Sequence, residues 1–331
     1  MTRFELDHRP AEERVDVLAD GALFTAYQYP SDEPVVQKPV LAPINTAGGT
    51  AVTRGYPLTP REGERVDHPH HVGAFFAYGE DPGVDGVGFW NVSEPVAPDD
   101  RRYGRIVHEA VTETTETDDI ATLGVRARWE RGDGERLLVE RTRFRFAGEG
   151  DRRRIDRTTT LEAVTSDVPM PDDKEGLFAL RVARELEHPD AGAPDRVVGP
   201  DGESVPATQA TEVEPTGEYV NAAGTRGTGV WGTRSPWMRL TGTLSDGDTV
   251  AVTIMDHPAN PGHPTYWHAR GYGLFAANPL GQAVFSDGEE RLDFVIPEGE
   301  AETFQYRMEI ERDAPSADEL DRRHRTFAEA D

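Results

Sequence analysis

The chain has 331 residues, 61 acidic against 35 basic, giving a formal net charge of -26, and it contains no cysteine. Such a charge repels phosphate backbones and anionic headgroups, so neither nucleic acid nor a membrane is expected as a partner. The absence of cysteine excludes disulfides, thiolate metal sites and cysteine nucleophiles. Thirteen phenylalanines, five tryptophans and regular apolar alternation separate the chain from a disordered acidic one. We expect a folded protein adapted to high salt, as in a haloarchaeal cytoplasm, where ions screen the self-repulsion. No apolar run is long enough to span a bilayer, and the N-terminus lacks the apolar stretch of a secretory signal, so the expected location is cytoplasmic. Lys38 and Lys174 are the only lysines, and where lysine is so rare a retained one is a candidate for its titratable amine.

In chain order, short strands are expected around 4–6, 15–18 and 23–27. A further strand over 36–44 is interrupted by Pro39 and Pro43, which suits a sheet edge. A Gly48-Gly49 turn follows, then Thr53-Arg54-Gly55-Tyr56-Pro57 and the dense run Asp67-His68-Pro69-His70-His71. Four long segments (104–116, 119–130, 136–147 and 152–164) are rich in Val, Ile, Thr and aromatics, with glycine turns between the later ones. They predict an antiparallel meander. Within 137–146, Leu138, Thr142, Phe144 and Phe146 share one parity and Arg141, Arg143 and Arg145 the other, so one face is expected buried and the other solvated.

Residues 185–217 are rich in Pro, Gly and Asp and read as a long loop. Strands resume at 229–231, 237–241, 249–255, 283–285, 292–296 and 303–310. Ser316-Ala317-Asp318-Glu319 is a capping box that opens a C-terminal helix over 316–330. Strands continue across every candidate boundary, so residues 1–331 are expected to form a single all-β domain, a large antiparallel β-sandwich.

Six of the ten histidines fall within 67–71 and 256–271. The second window, Asp256-His257-Pro258 through His263, Tyr266-Trp267-His268 and Arg270 to Asn278-Pro279, is stiffened by Pro258, Pro261 and Pro264. Imidazoles and carboxylates there suit general acid–base work, because histidine titrates near neutrality. They also suit a divalent metal (zinc, manganese or iron), with His68, His70, His71 and His257 as candidate ligands, although no fixed ligand spacing is present. Asp172-Asp173-Lys174-Glu175-Gly176 sets carboxylates around the rare lysine. Trp231-Gly232-Thr233-Arg234-Ser235-Pro236-Trp237 pairs aromatic faces with an arginine, as sugar sites do. No phosphate loop, dinucleotide fingerprint or nucleophile elbow is present.

These runs, with Lys38-Pro39, Glu62-Gly63-Glu64 and Gly88-Phe89-Trp90, resemble the PmoA family of unknown function, which carries a methane-oxygenase label. The resemblance covers roughly residues 20–310. It implies an all-β fold similar to the galactose-mutarotase supersandwich and a place in carbohydrate metabolism. The leading expectation is an enzyme acting on a sugar or keto-sugar derivative by lyase, epimerase or hydrolase chemistry. Catalytic candidates are His70, His71, Lys174, Glu175, Asp256, His257 and His268; substrate-binding candidates are Arg54, Trp90, Arg234, Trp237, Tyr266, Trp267, Arg270 and Asn278. The partner expected is a small carbohydrate, with homo-oligomerisation left open. Two alternatives stand beside it: a non-catalytic carbohydrate-binding β-sandwich and a metal-dependent oxygenase.

Overall fold

A computed structural model of the chain describes residues 2–31, 33–80 and 83–329. Its strands assemble into two eight-stranded antiparallel sheets. The first runs Phe4–Arg9, Arg14–Ala19, Ala22–Gln28, Val40–Ile44, Ala74–Phe76, Phe178–Arg181, Leu274–Asn278 and Tyr266–Arg270. The second runs Glu218–Asn221, Trp237–Thr243, Thr249–Asp256, Ala301–Glu311, Arg152–Ala163, Arg136–Glu149, Ile120–Arg131 and Gly104–Glu116. Aromatic side chains join the inner faces: Phe24 meets Phe146, Phe76 meets Trp129, Phe178 meets Tyr306 and Tyr219 meets Phe275, with ring centroids 5.1–6.4 Å apart. This is sheet-on-sheet packing of a β-sandwich, with one apolar core reaching from Phe4 to Ile310.

The expected meander forms, and period-two alternation sets its faces. Leu138, Phe144 and Phe146 are buried, while Arg141 and Arg143 point to solvent and pair with Glu162 and Glu113. Glu140 lies on the inner face. It accepts from Trp129 Nε1 (2.9 Å), Thr142 Oγ1 (2.6 Å) and Arg157 Nη2 (2.8 Å), so the buried charge is fully partnered.

Several local expectations are corrected. The proline-interrupted segment is not a sheet edge: Val40–Ile44 pairs with Ala22–Gln28 on one side and Ala74–Phe76 on the other. Residues 229–231 fall at a 3-10 turn, Gly227–Val230, rather than in a strand. Residues 283–285 belong to a short helix, Gln282–Phe285, where Asp172 Oδ1 accepts from Ala283 N (2.8 Å) and replaces a strand partner. The loop 185–217 holds a small hairpin, Arg196–Val198 with Ser204–Pro206. The C-terminal helix Ala317–Ala328 begins as expected, with Ser316 Oγ accepting from Glu319 N (3.2 Å). Its Leu320 and Phe327 pack on Trp237 and Met255. Residue 330 lies outside the described residues. No helix among the described residues is long and apolar enough to cross a membrane.

The first sheet carries the polar motifs. Along Tyr266–Arg270, Trp267 and Ala269 enter the core, so alternation turns Tyr266, His268 and Arg270 to the opposite, outer face. In the same way Phe76 faces the second sheet, whereas Phe75 meets His71 and Trp90.

Candidate functional site

A polar cavity of about 450 Å3 is lined by His68, His71, Glu80, Asn91, Lys174, Glu175, His268, Arg270 and Tyr272. The histidine wall is shaped from below by Arg54, whose side chain is buried. Arg54 Nη1 donates to the carbonyls of Arg65 (3.2 Å) and Asp67 (2.7 Å), and Nη2 to those of His68 (2.7 Å) and His71 (2.8 Å). His68 sits at φ +42°, a left-handed conformation rare for a non-glycine residue and one met where a site holds strain. The rings of Tyr272, His68, His71 and Phe75 follow one another in a stacked column, at 4.9, 5.0 and 5.8 Å. Trp90 Nε1 donates to His71 Nε2 (3.1 Å). That places the proton of the neutral imidazole on His71 Nδ1, which is buried and has no partner.

The opposing acid comes from the loop before Phe178. Asp173 Oδ1 accepts from Glu175 N (2.9 Å) and Asp173 Oδ2 from Glu80 N (2.8 Å). Asn278 Nδ2 donates to the carbonyls of Asp173 (2.8 Å) and Lys174 (3.0 Å). Gly176 permits close approach, since a Cβ there would come within 2.4 Å of the Tyr78 ring. So held, Glu175 Oε1 accepts from Lys174 Nζ (2.6 Å), and its Oε2 lies 3.7 Å from His268 Nδ1, too far for a hydrogen bond. His268 Nδ1 is buried without a partner. Burial raises the Glu175 carboxyl above its ordinary range despite Lys174. Burial, with the nearby charges of Arg270 and Lys174, lowers His268 to about 3. Burial likewise holds His71 well below the usual imidazole range. The cavity therefore combines neutral imidazoles with a carboxyl shifted toward neutrality.

The electrostatics beneath the wall are set by buried arginines. Asp67 Oδ1 takes both Arg181 Nη2 (2.6 Å) and Arg54 Nη1 (3.2 Å). Burial opposes the Asp67 charge, but His68, Arg181 and Arg54 together hold its carboxyl far below normal. Lys38 is also buried: its Nζ donates to Trp90 O (3.1 Å) and lies 4.8 Å from the Phe75 ring centre, and burial lowers it to about 7.

Residues 14–325 match a family described as "Family of unknown function (DUF6807)". The chain belongs to that family. This corrects the PmoA resemblance, because the family model that matches nearly the whole chain is DUF6807. No curated protein matches the DUF6807 chain. Among solved structures it is similar to a GH36 α-galactosidase from Geobacillus stearothermophilus, at 9% identity and TM-score 0.40, covering 94% of this chain and 41% of that one. It is also similar to the galactosidase domain of an α-galactosidase–sucrose kinase, at 8% identity and TM-score 0.39, covering 95% and 42%. The DUF6807 chain thus spans less than half the length of either.

Of the residues singled out from sequence, His68, His71, Lys174, Glu175, His268 and Arg270 line the cavity of this DUF6807 protein. His70 does not; it packs edge-on against His71 at 4.3 Å and bonds Ser93 Oγ through Nδ1 (2.9 Å). Arg54, Trp90 and Asn278 hold the walls from behind, with Arg54 Nη1 and Nη2, Trp90 Nε1 and Asn278 Nδ2 donating to protein groups. Asp256, His257, Arg234, Trp237, Tyr266 and Trp267 lie elsewhere. Asp256 Oδ2 accepts from His263 Nδ1 (2.7 Å) and Thr265 N (2.9 Å), and Oδ1 from Asn260 Nδ2 (2.7 Å), so it ties down its own loop. His257 packs on Phe327 of the C-terminal helix, and Trp237 Nε1 donates to Asp321 there (2.7 Å). Arg234 donates to the carbonyls of Pro264 and Gly262 and lies over the Tyr266 ring. Trp267 is fully buried and bonds Ser235 Oγ (2.9 Å).

The metal set is not assembled either. Among the described residues no group of three or more histidine, aspartate or glutamate side chains is placed to hold an ion. His68 and His71 stack with planes 5° apart, so their in-plane lone pairs do not converge, and His71 Nε2 is taken by Trp90. Tyr272, Asn91, Glu80 and the buried Arg181 were not singled out from sequence. Tyr272 follows Arg270 by two residues, and Arg181 is an arginine in the apolar run Phe178–Arg181, which is a signal in itself.

Proposed function

We propose that the cavity is the active site of an enzyme that abstracts a proton beside the carbonyl of a sugar-type substrate. The observation that carries this reading is the 3.7 Å gap between Glu175 Oε2 and the buried, unpartnered His268 Nδ1, at the edge of a polar cavity. About 450 Å3 suits a small molecule, and a lining of amide, imidazole, phenol and charged groups suits hydroxyls better than apolar surface.

In this reading Glu175, as carboxylate, takes the proton from the carbon next to the carbonyl. The C–H electron pair moves into the enolate, and the carbonyl electrons move onto oxygen. Neutral imidazole N–H groups from His71 and His268 then donate to that developing oxyanion, which a lowered histidine pKa permits at neutral pH. Lys174, paired with Glu175, steadies the carboxylate between turnovers. Return of a proton to the opposite face of the enolate, from a second acid or after the substrate turns over against the Glu175 carboxyl, is epimerisation; loss of a β-hydroxyl as water, with a proton supplied to it, is a lyase step. The alternative of a tryptophan binding platform is less well supported, because Trp90, Trp129, Trp237 and Trp267 are buried and Trp231 alone is exposed, at 38%.

The test is deuterium incorporation from solvent at the carbon beside the carbonyl, across a panel of keto-sugars and oxidised sugars. Wild type is expected to exchange at least one member, and Glu175→Gln to be slowed by about 100-fold or more. Exchange that persists in Glu175→Gln would overturn the assignment, as would no exchange across the panel.

A further inference from the structure

The lining of this cavity balances Lys174 and Arg270 against Glu80 and Glu175, so the excess of acid that marks the whole chain is absent there. The net charge is -26, yet the buried groups below the histidine wall are arginine-rich. Arg54 and Arg181 share the one carboxylate of Asp67, and Arg65 and Arg184 share the one carboxylate of Glu187. Two clusters of two arginines per acid leave excess positive charge in a low-dielectric floor, where it reaches furthest. Arg181 is fully buried, and its Nε and Nη1 have no partner.

On the cavity rim, Arg270 is framed by two aromatic rings, with its guanidinium carbon 5.8 Å from the ring centres of Trp231 and Tyr272. Contacts to ring faces steady a guanidinium without using its in-plane N–H donors. Among the described residues no carboxylate pairs with Arg270. Lys174, the other cation of the lining, is already paired with Glu175. A guanidinium lying between two rings, unpaired by carboxylate and above buried arginines, is an arrangement for an oxyanion.

We infer that the ligand of this cavity is an acid-bearing sugar whose oxyanion is held by Arg270. The inference rests on the sugar reading above and adds the charge of the substrate. A carboxylate matches the planar fork in a bidentate geometry and carries one charge. A sugar phosphate shares the chemistry and is separated by experiment.

Isothermal titration calorimetry at one fixed high salt concentration provides the test, with D-glucose, D-gluconate, D-glucuronate and D-glucose 6-phosphate as probes. At least one acid-bearing sugar should bind about tenfold or more tightly than glucose. Arg270→Gln, a change at an exposed side chain, should remove that advantage while leaving glucose binding and the thermal unfolding midpoint in place. The tighter of the carboxylates and the phosphate identifies the source of the oxyanion. Equal binding of glucose and the acids, or acid binding unchanged in Arg270→Gln, overturns this inference alone. No binding by any of the four overturns both the inference and the sugar reading.

Discussion

His268 shows how far a residue's role depends on which face of a strand it occupies. Six histidines cluster in sequence, but only His68, His71 and His268 reach the cavity. The stretch 256–271 leaves the second sheet at Asp256 and enters the first at Tyr266, so neighbours in sequence belong to different layers. Residue types announced the polar chemistry; they carried no information on this crossing, and Asp256 and His257 were grouped with His268 for that reason. Arg54 is a second case: the guanidinium suggested substrate oxygens, and the chain's own carbonyls take its donors. Buried neutral imidazoles have a consequence for stability. His70, His71 and His268 are all lowered in the native state, whereas they titrate near 6.5 when unfolded. Below that value the unfolded chain binds more protons, so their contribution is complete above about pH 6.5 and is lost as pH falls toward about 3 for His268. Glu175, Asp173 and Glu187, raised in the native state, act with the opposite sign, but toward the carboxylate range rather than from pH 6.5 downward. Urea unfolding between pH 7 and 5 should show stability falling by about 2 kcal/mol in all for each such histidine, the slope approaching about 1.4 kcal/mol per pH unit at the acid end. In His71→Gln and His268→Gln the slope should shrink.

At the scale of elements, the long strands were the most legible part of the molecule. The segments 104–116 and 152–164 match Gly104–Glu116 and Arg152–Ala163 because alternation over a dozen residues has no helical equivalent. Short elements were less so. Three-residue apolar runs at 229–231 and 283–285 look like strands until their surroundings choose a turn or a helix. Pro43 suggested an edge, yet the sheet passes it with a shift in register against Ala22–Gln28. The C-terminal helix was readable from its cap, though its docking site was not. Trp237, read as a sugar platform, is the anchor: it is buried against Leu320 and Phe327 and bonds Asp321. Trp237→Phe should therefore lower stability by about 1–2 kcal/mol through the lost indole bond and volume. Ligand affinity at the cavity should stay within about twofold, the two readings separating a docking role from a binding one.

For the whole molecule, two facts stand together: a surface of extreme negative charge and a cavity floor rich in arginine. The first was plain from composition; the second was hidden, since Arg54, Arg65, Arg181 and Arg184 are scattered over some 130 positions and meet only through the sheet. Self-repulsion at a net charge of -26 should make stability depend on salt. The thermal midpoint is expected to rise by about 10 °C or more between 0.1 and 2 M potassium chloride, and a flat response would remove the case for a high-salt protein. Histidine side-chain 15N–1H correlation spectra, with and without 2-keto-D-gluconate, test the central claim most directly. Signals of His68, His71 and His268 are expected to move, with His268 showing neutral imidazole shifts at pH 7, while His257, His263 and His324 stay in place. Movement confined to the second group, or a charged His268, would contradict the assignment of the site.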